Sequence, residues 1–359
     1  MAVITIVGAG MMGTAMCWPA ADNGHTVRLV GTPLDTKIIA AIKATRIHPR
    51  LERAIPEGVC AYPAAELAAA LDGAELVISG VSSFGVDWFG QTVGPLLASA
   101  NQQSAGRALP PVISVTKGLI DLPDGELITL PDALRPMLPA AIRAQVSLNA
   151  IGGPCIAHEL AARRQTAVVF TGRERPVLER IRSLLGTPYY HPWLSTDLTG
   201  VEVCAAMKNA YALGVGLAVG QMEAAGPDGL AHLYNPQAAL FGQACYEMRR
   251  LLPITGGGED NAAWLPGAGD LYVTVFGGRT VALGKLLGGG MGFAQARAKL
   301  SGVTLESVEI IKRVTRALPK LAARRRADLA DFPLLLHLQE IIQEGRPVDI
   351  PWDAFFANI

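Results

Sequence analysis

Three glycines near the start of the chain occur where backbone groups alone can bind a phosphate. Gly8, Gly10 and Gly13 follow the β-branched run Val3–Val7 and open a stretch with helical character. In that context Gly8 permits a tight turn, Gly10 lets backbone approach a pyrophosphate, and Gly13 allows close packing of helix on strand. The pattern therefore predicts a dinucleotide site. The alternative is a glycine turn kept only for packing.

The form of the dinucleotide is left open by the residues around this turn. The first backbone N–H groups of the helix, at Met11 and Met12, suit the pyrophosphate of either NAD or NADP. An acid at the end of the second strand would bind the adenosine ribose of NAD, yet none occurs between Val30 and Pro33. Thr32 and Lys37 are placed to reach the 2′-phosphate of NADP.

Two lysines occur at positions that favour a chemical role. Lys117 directly follows the predicted strand Val112–Thr116, and an open α/β sheet binds its ligands at the carboxyl ends of its strands. Lys208 lies within a run of Val, Cys, Ala, Met and Leu, where a lysine is almost never buried without a partner. Burial disfavours the charged form of an amine, which suits proton transfer near neutral pH. The alternatives are a surface lysine at the first position and a side chain reaching water at the second.

An acid, an arginine and a pair of serines complete the set of candidate polar groups. Asp270 opens an apolar segment, either as the partner of a buried lysine or as a helix N-cap. Arg279 follows two glycines and suits a phosphate, because a guanidinium stays charged and donates two parallel hydrogen bonds. Its alternative is a solvent-exposed side chain in a glycine loop. Ser82 and Ser83 follow the third predicted strand and either touch the cofactor or cap the next helix.

Four further segments, taken with the glycine turn, resemble the NAD(P)-dependent glycerol-3-phosphate dehydrogenase family over nearly the whole chain. Their order and spacing match that family. They are Val115–Leu119, Gly153–Cys155 with Ala157 and Glu159, Gly200–Glu202 leading to Met207–Asn209, and Gly269–Leu271 with Thr274 and Arg279.

The resemblance implies an oxidoreductase that interconverts sn-glycerol 3-phosphate and dihydroxyacetone phosphate, a reaction of carbohydrate and phospholipid metabolism. It makes Lys208 the general acid–base, Asp270 the acid that pairs with it and orients it, and Lys117 a group that polarises the reacting site. The implied substrate-binding residues are Arg279, Thr280, Asn209 and Thr274. The implied cofactor-binding residues are Gly8, Gly10, Met11, Met12, Gly13, Ser82, Ala157, Arg279 and Glu306.

The chain departs from the family pattern at positions that bear on substrate choice. Thr280 replaces the usual asparagine after the phosphate-binding arginine, Gln237 lies where a lysine is usual, and Cys155 replaces a serine. Two other functions therefore stay open. One is a dehydrogenase of the same fold acting on another phosphorylated polyol or hydroxy compound, and the other is a dinucleotide-binding regulator without turnover.

The elements that must position these residues follow from the pattern of apolar runs. Short β-branched runs alternate with helical stretches up to about Ser195, which is typical of a parallel sheet covered on both faces. Long apolar-periodic helices follow. We predict an α/β fold: a Rossmann-type doubly wound sheet over 1–195 and an all-α domain over 196–359 that resembles the C-terminal domain of 6-phosphogluconate dehydrogenase. The predicted strands are Val3–Val7, Thr26–Val30, Leu76–Val81, Val112–Thr116, Val146–Ala150 and Ala167–Phe170. The predicted helices include Met11–Asn23, Thr199–Met222, Pro236–Leu252, Phe293–Leu300 and Leu305–Arg316, and Ala98–Pro111 is predicted as a surface loop.

Composition limits the partners. The 31 basic and 31 acidic residues balance, so the chain has no bulk attraction for nucleic acid or an anionic membrane. The basic cluster Arg324–Arg326 is accordingly interpreted as a solvated helix face. Five scattered cysteines and six histidines show no metal-ligand spacing, so no metal is expected. The apolar stretch 201–222 contains Glu202 and Lys208 and is predicted to be a buried helix rather than a membrane span. We expect a cytoplasmic enzyme with a small phosphorylated substrate, forming a homodimer as the family commonly does.

Overall fold

The computed structural model describes residues 1–103, 108–302, 304–324 and 326–356. The chain divides into two units. The first comprises Met1–Lys117 and Leu130–Leu198, and the second comprises Gly118–Thr129 and Thr199–Ile359. The sequence predicts one boundary near Ser195, whereas the chain crosses between the units three times, the last time after Leu198.

The described part of the chain contains twelve strands and seventeen α-helices, connected by short 3₁₀ and π turns and loops. The strands are β1 (Val3–Val7), β2 (Thr26–Val30), β3 (Ile47–His48), β4 (Arg53–Ala54), β5 (Val59–Tyr62), β6 (Leu76–Ser79), β7 (Val112–Ser114), β8 (Leu119–Asp121), β9 (Leu127–Thr129), β10 (Leu148–Gly152), β11 (Thr166–Thr171) and β12 (Tyr190–Ser195). The helices of the first unit are α1 (Met11–Ala15), α2 (Cys17–Asp22), α3 (Thr36–Thr45), α4 (Leu67–Leu71), α5 (Val86–Gln103), α6 (Leu130–Leu134), α7 (Ala140–Arg143), α8 (Ala157–Ala161) and α9 (Arg175–Leu185). The helices that follow are α10 (Leu198–Ala224), α11 (Gly226–Ala231), α12 (Tyr234–Thr255), α13 (Asp270–Val275), α14 (Arg279–Gly288), α15 (Phe293–Lys299), α16 (Glu306–Ala323) and α17 (Pro333–Gln339).

An eight-stranded sheet forms the centre of the first unit. Its order is β12-β11-β10-β7-β6-β1-β2-β5. Six neighbouring strands of this sheet are parallel: β5, β2, β1, β6, β7 and β10. They have the order 3-2-1-4-5-6 of a doubly wound dinucleotide-binding sheet. Val7, the last residue of β1, is in register with Val30 of β2 and Ser79 of β6. The carboxyl ends of these three strands therefore meet at one edge, where such sheets bind ligands.

The fold class is confirmed, and β1 and β2 have the predicted bounds. One prediction about the sheet was wrong, because β11 runs antiparallel to β10. Strand direction depends on how the connection returns, and a local apolar run carries no record of it. The predicted helix Met11–Asn23 is broken at Met16 into α1 and α2.

The predicted loop Ala98–Pro111 was wrong at its start, since α5 continues to Gln103. Ala98, Ser99 and Ala100 continue the helix because no glycine or proline follows them before Gly106 in the sequence. Residues 104–107 of this predicted loop lie outside the described residues.

Helices form most of the second unit. Its core is a cluster of buried side chains drawn chiefly from α10, α12, α16 and α17. Within the part of the chain that the structure describes, α10 is the one helix long and apolar enough to cross a membrane, and 89% of its most apolar window is buried. The prediction of a buried helix here is confirmed.

A short hairpin, β8–β9, joins the second unit although it lies within the first in sequence. The basic face of α16 holds it. Arg313 donates to the Leu119 carbonyl at 2.6 Å, and Arg316 pairs with Asp121 at 2.7 Å. Arg324 pairs with Glu126 at 3.4 Å. Arg326 also pairs with Glu126. The basic cluster 324–326, predicted as a solvated face, is thus partly an ion-pair surface. Residue 325 lies outside the described residues.

Candidate active site

The glycine turn connects β1 to α1 and is too crowded for side chains at two of its three glycines. Gly8 has a φ of +113°, and a Cβ there would lie 2.6 Å from the carbonyl carbon of Gly80. A Cβ on Gly13 would lie 2.2 Å from the Gly8 carbonyl oxygen. Gly80, which follows β6, is equally confined, because its own Cβ would meet the Gly13 Cα at 2.8 Å. Gly80 cannot be selected from the sequence, since it lies more than sixty residues from the turn that it packs against.

Gly10 is different, because its Cβ would meet nothing closer than the Gly80 oxygen at 4.0 Å. The space in front of it is therefore open to a ligand. Gly10 is the N-cap of α1 and supplies no side-chain cap, so the first N–H groups of the helix, at Met11 and Met12, are left for an anion. Both methionines are half-buried. These residues fit a dinucleotide pyrophosphate, with the cofactor's reactive part still to be positioned by other groups.

Asp35, five residues beyond the end of β2, is an acid that the sequence did not single out. Asp35 accepts from the backbone N–H of Ala9 at 3.1 Å and from the Thr32 hydroxyl at 2.7 Å. Its carboxylate thus lies at the glycine turn, although no acid ends β2. Thr32 is half-buried and Lys37 is exposed.

A second side chain missed from the sequence also reaches this turn. His48 lies in β3, is fully buried, and has its Nε2 3.0 Å from the Ala9 carbonyl oxygen. A histidine in the strongly polar stretch around Arg50 gives no local sign of such a contact. For Asp35 a sign existed, because Thr32-x-x-Asp35 has the spacing of a capping box and the structure contains that box.

The remaining predicted residues of the first unit lie at or beyond strand ends. Lys117 follows β7, and its Nζ donates to the carbonyl of Gly153, which follows the neighbouring strand β10, at 3.3 Å. Ser82 follows β6, is exposed, and is the N-cap of a short 3₁₀ turn without a side-chain cap bond. Ala157 is the first residue of α8. The predicted location of Lys117 beyond a strand is confirmed.

In the second unit, a half-buried lysine, a buried acid and a threonine form one hydrogen-bonded group. Lys208 of α10 is 12% exposed and Asp270 is 1% exposed. The Lys208 Nζ lies 2.6 Å from the Asp270 Oδ1 and 3.0 Å from the Thr274 Oγ1. The Thr274 hydroxyl in turn donates to the Asp270 backbone carbonyl at 2.6 Å. Lys208 is therefore held by two oxygens in one orientation.

This geometry decides between the alternatives that the sequence left open. Lys208 is half-buried, and its Nζ is paired inside the unit. Asp270 is the first residue of α13, yet Gly269 is the N-cap, and the Asp270 carboxylate binds the lysine instead. Both charges of this pair lose solvation inside the unit, and charged pairs of this kind are concentrated at functional sites.

The other predicted residues of this unit stand at helix starts or beside Lys208. Arg279 is exposed and is the first residue of α14, whose N-cap Gly278 has a φ of +92°. Thr280 and Asn209 are half-buried, and Glu306 is the half-buried first residue of α16. The hydrogen bonds described above join Lys208, Asp270 and Thr274 in one group.

A doubly wound sheet with this glycine turn, together with a lysine–carboxylate pair in a helical unit, defines a dinucleotide-dependent dehydrogenase. Residues 3–176 match the family model described as NAD-dependent glycerol-3-phosphate dehydrogenase N-terminus, and residues 197–352 match its C-terminus. The chain belongs to the NAD-dependent glycerol-3-phosphate dehydrogenase family, and it is an NAD(P)-dependent enzyme.

Individual relatives agree with the family model along the whole chain. The NADP(+)-dependent glycerol-3-phosphate dehydrogenase of Archaeoglobus fulgidus is 32% identical over 97% of each chain. The glycerol-3-phosphate dehydrogenase [NAD(P)+] of Desulfotalea psychrophila is 28% identical over 96% of this chain and 93% of that protein. Among solved structures, glycerol-3-phosphate dehydrogenase from Coxiella burnetii superposes with a TM-score of 0.78 at 25% identity, covering 98% of this chain and 96% of that one.

Proposed function

We propose that this chain interconverts sn-glycerol 3-phosphate and dihydroxyacetone phosphate. The observation that carries the proposal is the buried Lys208–Asp270 pair, at 2.6 Å, in a member of this family. Reduction of a ketone at C2 needs one hydride at carbon and one proton at oxygen. The bound nicotinamide supplies or accepts the hydride, and the chain must handle the proton.

Lys208 is the residue that we assign to the proton. It gives a proton to the C2 oxygen as the ketone is reduced and takes it back when the alcohol is oxidised. Asp270 and Thr274 fix the direction of its Nζ, so the ammonium does not have to reorient during the reaction. Lys117 is assigned, on the strength of its motif, a positive charge that stabilises negative charge as it develops during the reaction.

Arg279 is assigned to the substrate phosphate. Its guanidinium stands at the first position of α14, where the helix dipole also favours an anion. Fixing the phosphate fixes the distance from it to C2, which is how a non-reacting group contributes to the rate. Thr280 and Asn209 are assigned to the remaining polar contacts of the substrate, and Ser82, Ala157 and Glu306 to the cofactor.

A spectrophotometric panel tests the proposal. The purified chain is supplied with dihydroxyacetone phosphate and either NADH or NADPH, and absorbance is followed at the nicotinamide band. We expect oxidation of at least one dinucleotide, with glycerol 3-phosphate as the product. Absence of turnover with both dinucleotides, from protein that still binds one of them, would refute the assignment of this reaction.

A second candidate substrate is another phosphorylated polyol or hydroxy compound. Thr280 beside the phosphate-binding arginine, Gln237 in α12 and the half-buried Cys155 all depart from the usual family residues. Phosphorylated sugar alcohols and 2-oxo acids belong in the same panel. A kcat/KM higher for one of them than for dihydroxyacetone phosphate would favour this candidate.

We also propose that the enzyme is a cytoplasmic homodimer that supplies glycerol 3-phosphate for phospholipid synthesis. The proposal extends the family resemblance and the balanced charge of the chain. Light scattering on the purified protein tests the assembly, and a mass near 37.8 kDa would reject the dimer.

A further inference from the structure

The peptide groups on either side of Ala9 are held by two side chains from outside the glycine turn. The Ala9 N–H donates to the Asp35 Oδ2 at 3.1 Å, and the Ala9 carbonyl lies 3.0 Å from the His48 Nε2. Ala9 stands between Gly8 and Gly10, and its side chain is fully buried. The N–H of Ala9 is therefore hydrogen-bonded to one side chain and its carbonyl to another.

The roles of the two ring nitrogens of His48 follow from their neighbours. Its Nδ1 accepts the backbone N–H of Arg50 at 3.1 Å and of Leu51 at 3.0 Å, so this nitrogen carries no hydrogen. The hydrogen is on Nε2, which donates to the Ala9 carbonyl. Burial lowers the pKa of His48, because desolvation disfavours the charged ring, and this keeps the donor and acceptor in place.

Asp35 ties the same residue to the turn after β2. Its Oδ2 also accepts the Thr32 backbone N–H at 2.9 Å and the Thr32 hydroxyl at 2.7 Å. The carboxylate thus connects the start of α3 with the glycine turn. Asp35 and His48 come from different segments, so the two bonds restrain Ala9 from two directions.

The turn needs such restraint because its flanking residues provide little. Gly8 and Gly10 lack side chains and have wide conformational freedom, and Gly10 leaves α1 without a side-chain cap. The orientation of the Ala9 peptide sets where Gly10 and the first N–H groups of α1 point. A turn already held in one conformation loses less entropy when an anion binds.

We propose that His48 and Asp35 are positioning residues for the dinucleotide, which hold Ala9 so that the first turn of α1 is ready for the pyrophosphate. The inference rests on the proposed function for its ligand and adds two residues to the cofactor site. Neither residue needs to touch the dinucleotide. Their contribution is to binding and should leave the chemical step unchanged.

Two substitutions of His48 distinguish the loss of its hydrogen bond to Ala9 from the loss of its hydrogen bonds to Arg50 and Leu51. His48→Asn keeps an oxygen near the position of Nδ1 for Arg50 and Leu51 but removes the donor to Ala9. His48→Gln keeps a donor amide near the position of Nε2. The control is His25→Asn, because His25 also bridges two backbone groups, Ala2 N at 3.2 Å and Leu184 O at 3.0 Å, before β2 begins.

Dissociation constants for NADH and NADPH, titrated by their fluorescence without substrate, provide the test. We expect His48→Asn to raise the dissociation constants of both dinucleotides by about ten-fold, the effect of one lost buried hydrogen bond. His48→Gln should retain most of the wild-type affinity. The KM for dinucleotide rises while kcat at saturation stays near the wild-type value. His25→Asn lowers the melting temperature but leaves both dissociation constants unchanged.

Asp35 provides a second test should His48→Asn fail to fold. Asp35→Ala removes the acceptor of the Ala9 N–H and should weaken dinucleotide binding, whereas Asp35→Asn keeps an oxygen there and should weaken it less. Wild-type affinity in His48→Asn or in Asp35→Ala would overturn the inference, as would an equal loss in His25→Asn. Such results leave the proposed reaction standing, whereas a wild-type chain that binds neither dinucleotide would overturn both.

Discussion

At the scale of single residues, Lys208 is the least ordinary feature of the molecule. A lysine at 12% exposure in an apolar helix is kept there by the Asp270 carboxylate and the Thr274 hydroxyl. The carboxylate stabilises the charged ammonium, whereas burial favours the neutral amine. We propose that the balance between these two effects governs proton exchange between Lys208 and the substrate.

Replacing Asp270 should change that balance. In Asp270→Asn the buried negative charge is gone, so the ammonium is less stable and the lysine loses its proton more readily. We expect the limb of the kcat/KM profile that reports this proton to move toward lower pH, with kcat reduced by about 10²-fold. Steady-state rates of ketone reduction across pH 5–10 measure both effects.

Thr274→Val is the matched control for this prediction. It removes one acceptor from the Lys208 Nζ but leaves the charge of Asp270 in place. A pH profile that moves as far in Thr274→Val as in Asp270→Asn would contradict the electrostatic explanation.

Arg279 should act on substrate binding. Truncation in Arg279→Ala removes the proposed phosphate contact, and Arg279→Lys keeps a charge without the two parallel hydrogen bonds. We expect KM for the phosphorylated substrate to rise by roughly 10²-fold in the alanine variant and by less in the lysine variant. The family resemblance also implies a contact of Arg279 with the cofactor, so the dissociation constant of the dinucleotide should rise as well, but by less; a larger loss of dinucleotide affinity than of substrate affinity would contradict this assignment.

At the scale of elements, a buried carboxylate joins two helices of the second unit. Glu247 of α12 accepts from the N–H groups of Leu334 and Leu335 at the start of α17, at 2.7 and 3.0 Å. The Tyr211 hydroxyl and the Gln243 amide donate to it as well. Even so, burial raises the pKa of Glu247 to about 7, because desolvation outweighs the four donors.

This raised pKa makes the stability of the unit depend on pH. Between the ordinary glutamate value of 4.5 and about 7, the folded chain binds a proton that the unfolded chain has released. The contribution of Glu247 to the free energy of unfolding is therefore fully present below 4.5 and falls as the pH rises through 7. We expect the melting temperature of the wild type, relative to Glu247→Gln, to fall between pH 5 and pH 8.

The exposed ion pair of Glu259 with Arg249 provides a control for that measurement. Glu259→Gln removes a carboxylate that is 48% exposed and should lower the melting temperature by the same small amount at both pH values. A difference between wild type and Glu247→Gln that is constant from pH 5 to pH 8 would contradict the explanation.

At the scale of the whole molecule, the sequence predicts what local patterns determine. Strands β1 and β2 were predicted to the residue because short segments rich in Val, Ile and Leu end at a glycine turn and at Gly31. Lys208 could be selected because an isolated charge interrupts an apolar helix. These features are readable within a window of about ten residues.

What the sequence does not predict depends on distant contacts. Strand β12 contains Pro192 and lies at the edge of the sheet, where a missing N–H is tolerated, so it lacks an apolar strand pattern. The three-residue strands of the β8–β9 hairpin belong to the second unit because α16, nearly two hundred residues later, supplies Arg313 and Arg316. The position of His48 against Ala9 is of the same kind.

We propose that Lys208 transfers the proton in a dinucleotide-dependent reduction of dihydroxyacetone phosphate. The most direct measurement compares kcat for this reduction in wild type, Lys208→Ala and the control Lys285→Ala, with dinucleotide affinity measured on each preparation. Lys285 also pairs with a carboxylate at 2.6 Å, that of Glu223, but is 39% exposed. We predict that Lys208→Ala binds dinucleotide like the wild type while kcat falls by about 10³-fold, and that Lys285→Ala retains both. A Lys208→Ala variant that folds, binds dinucleotide and turns over at the wild-type rate would contradict the claim.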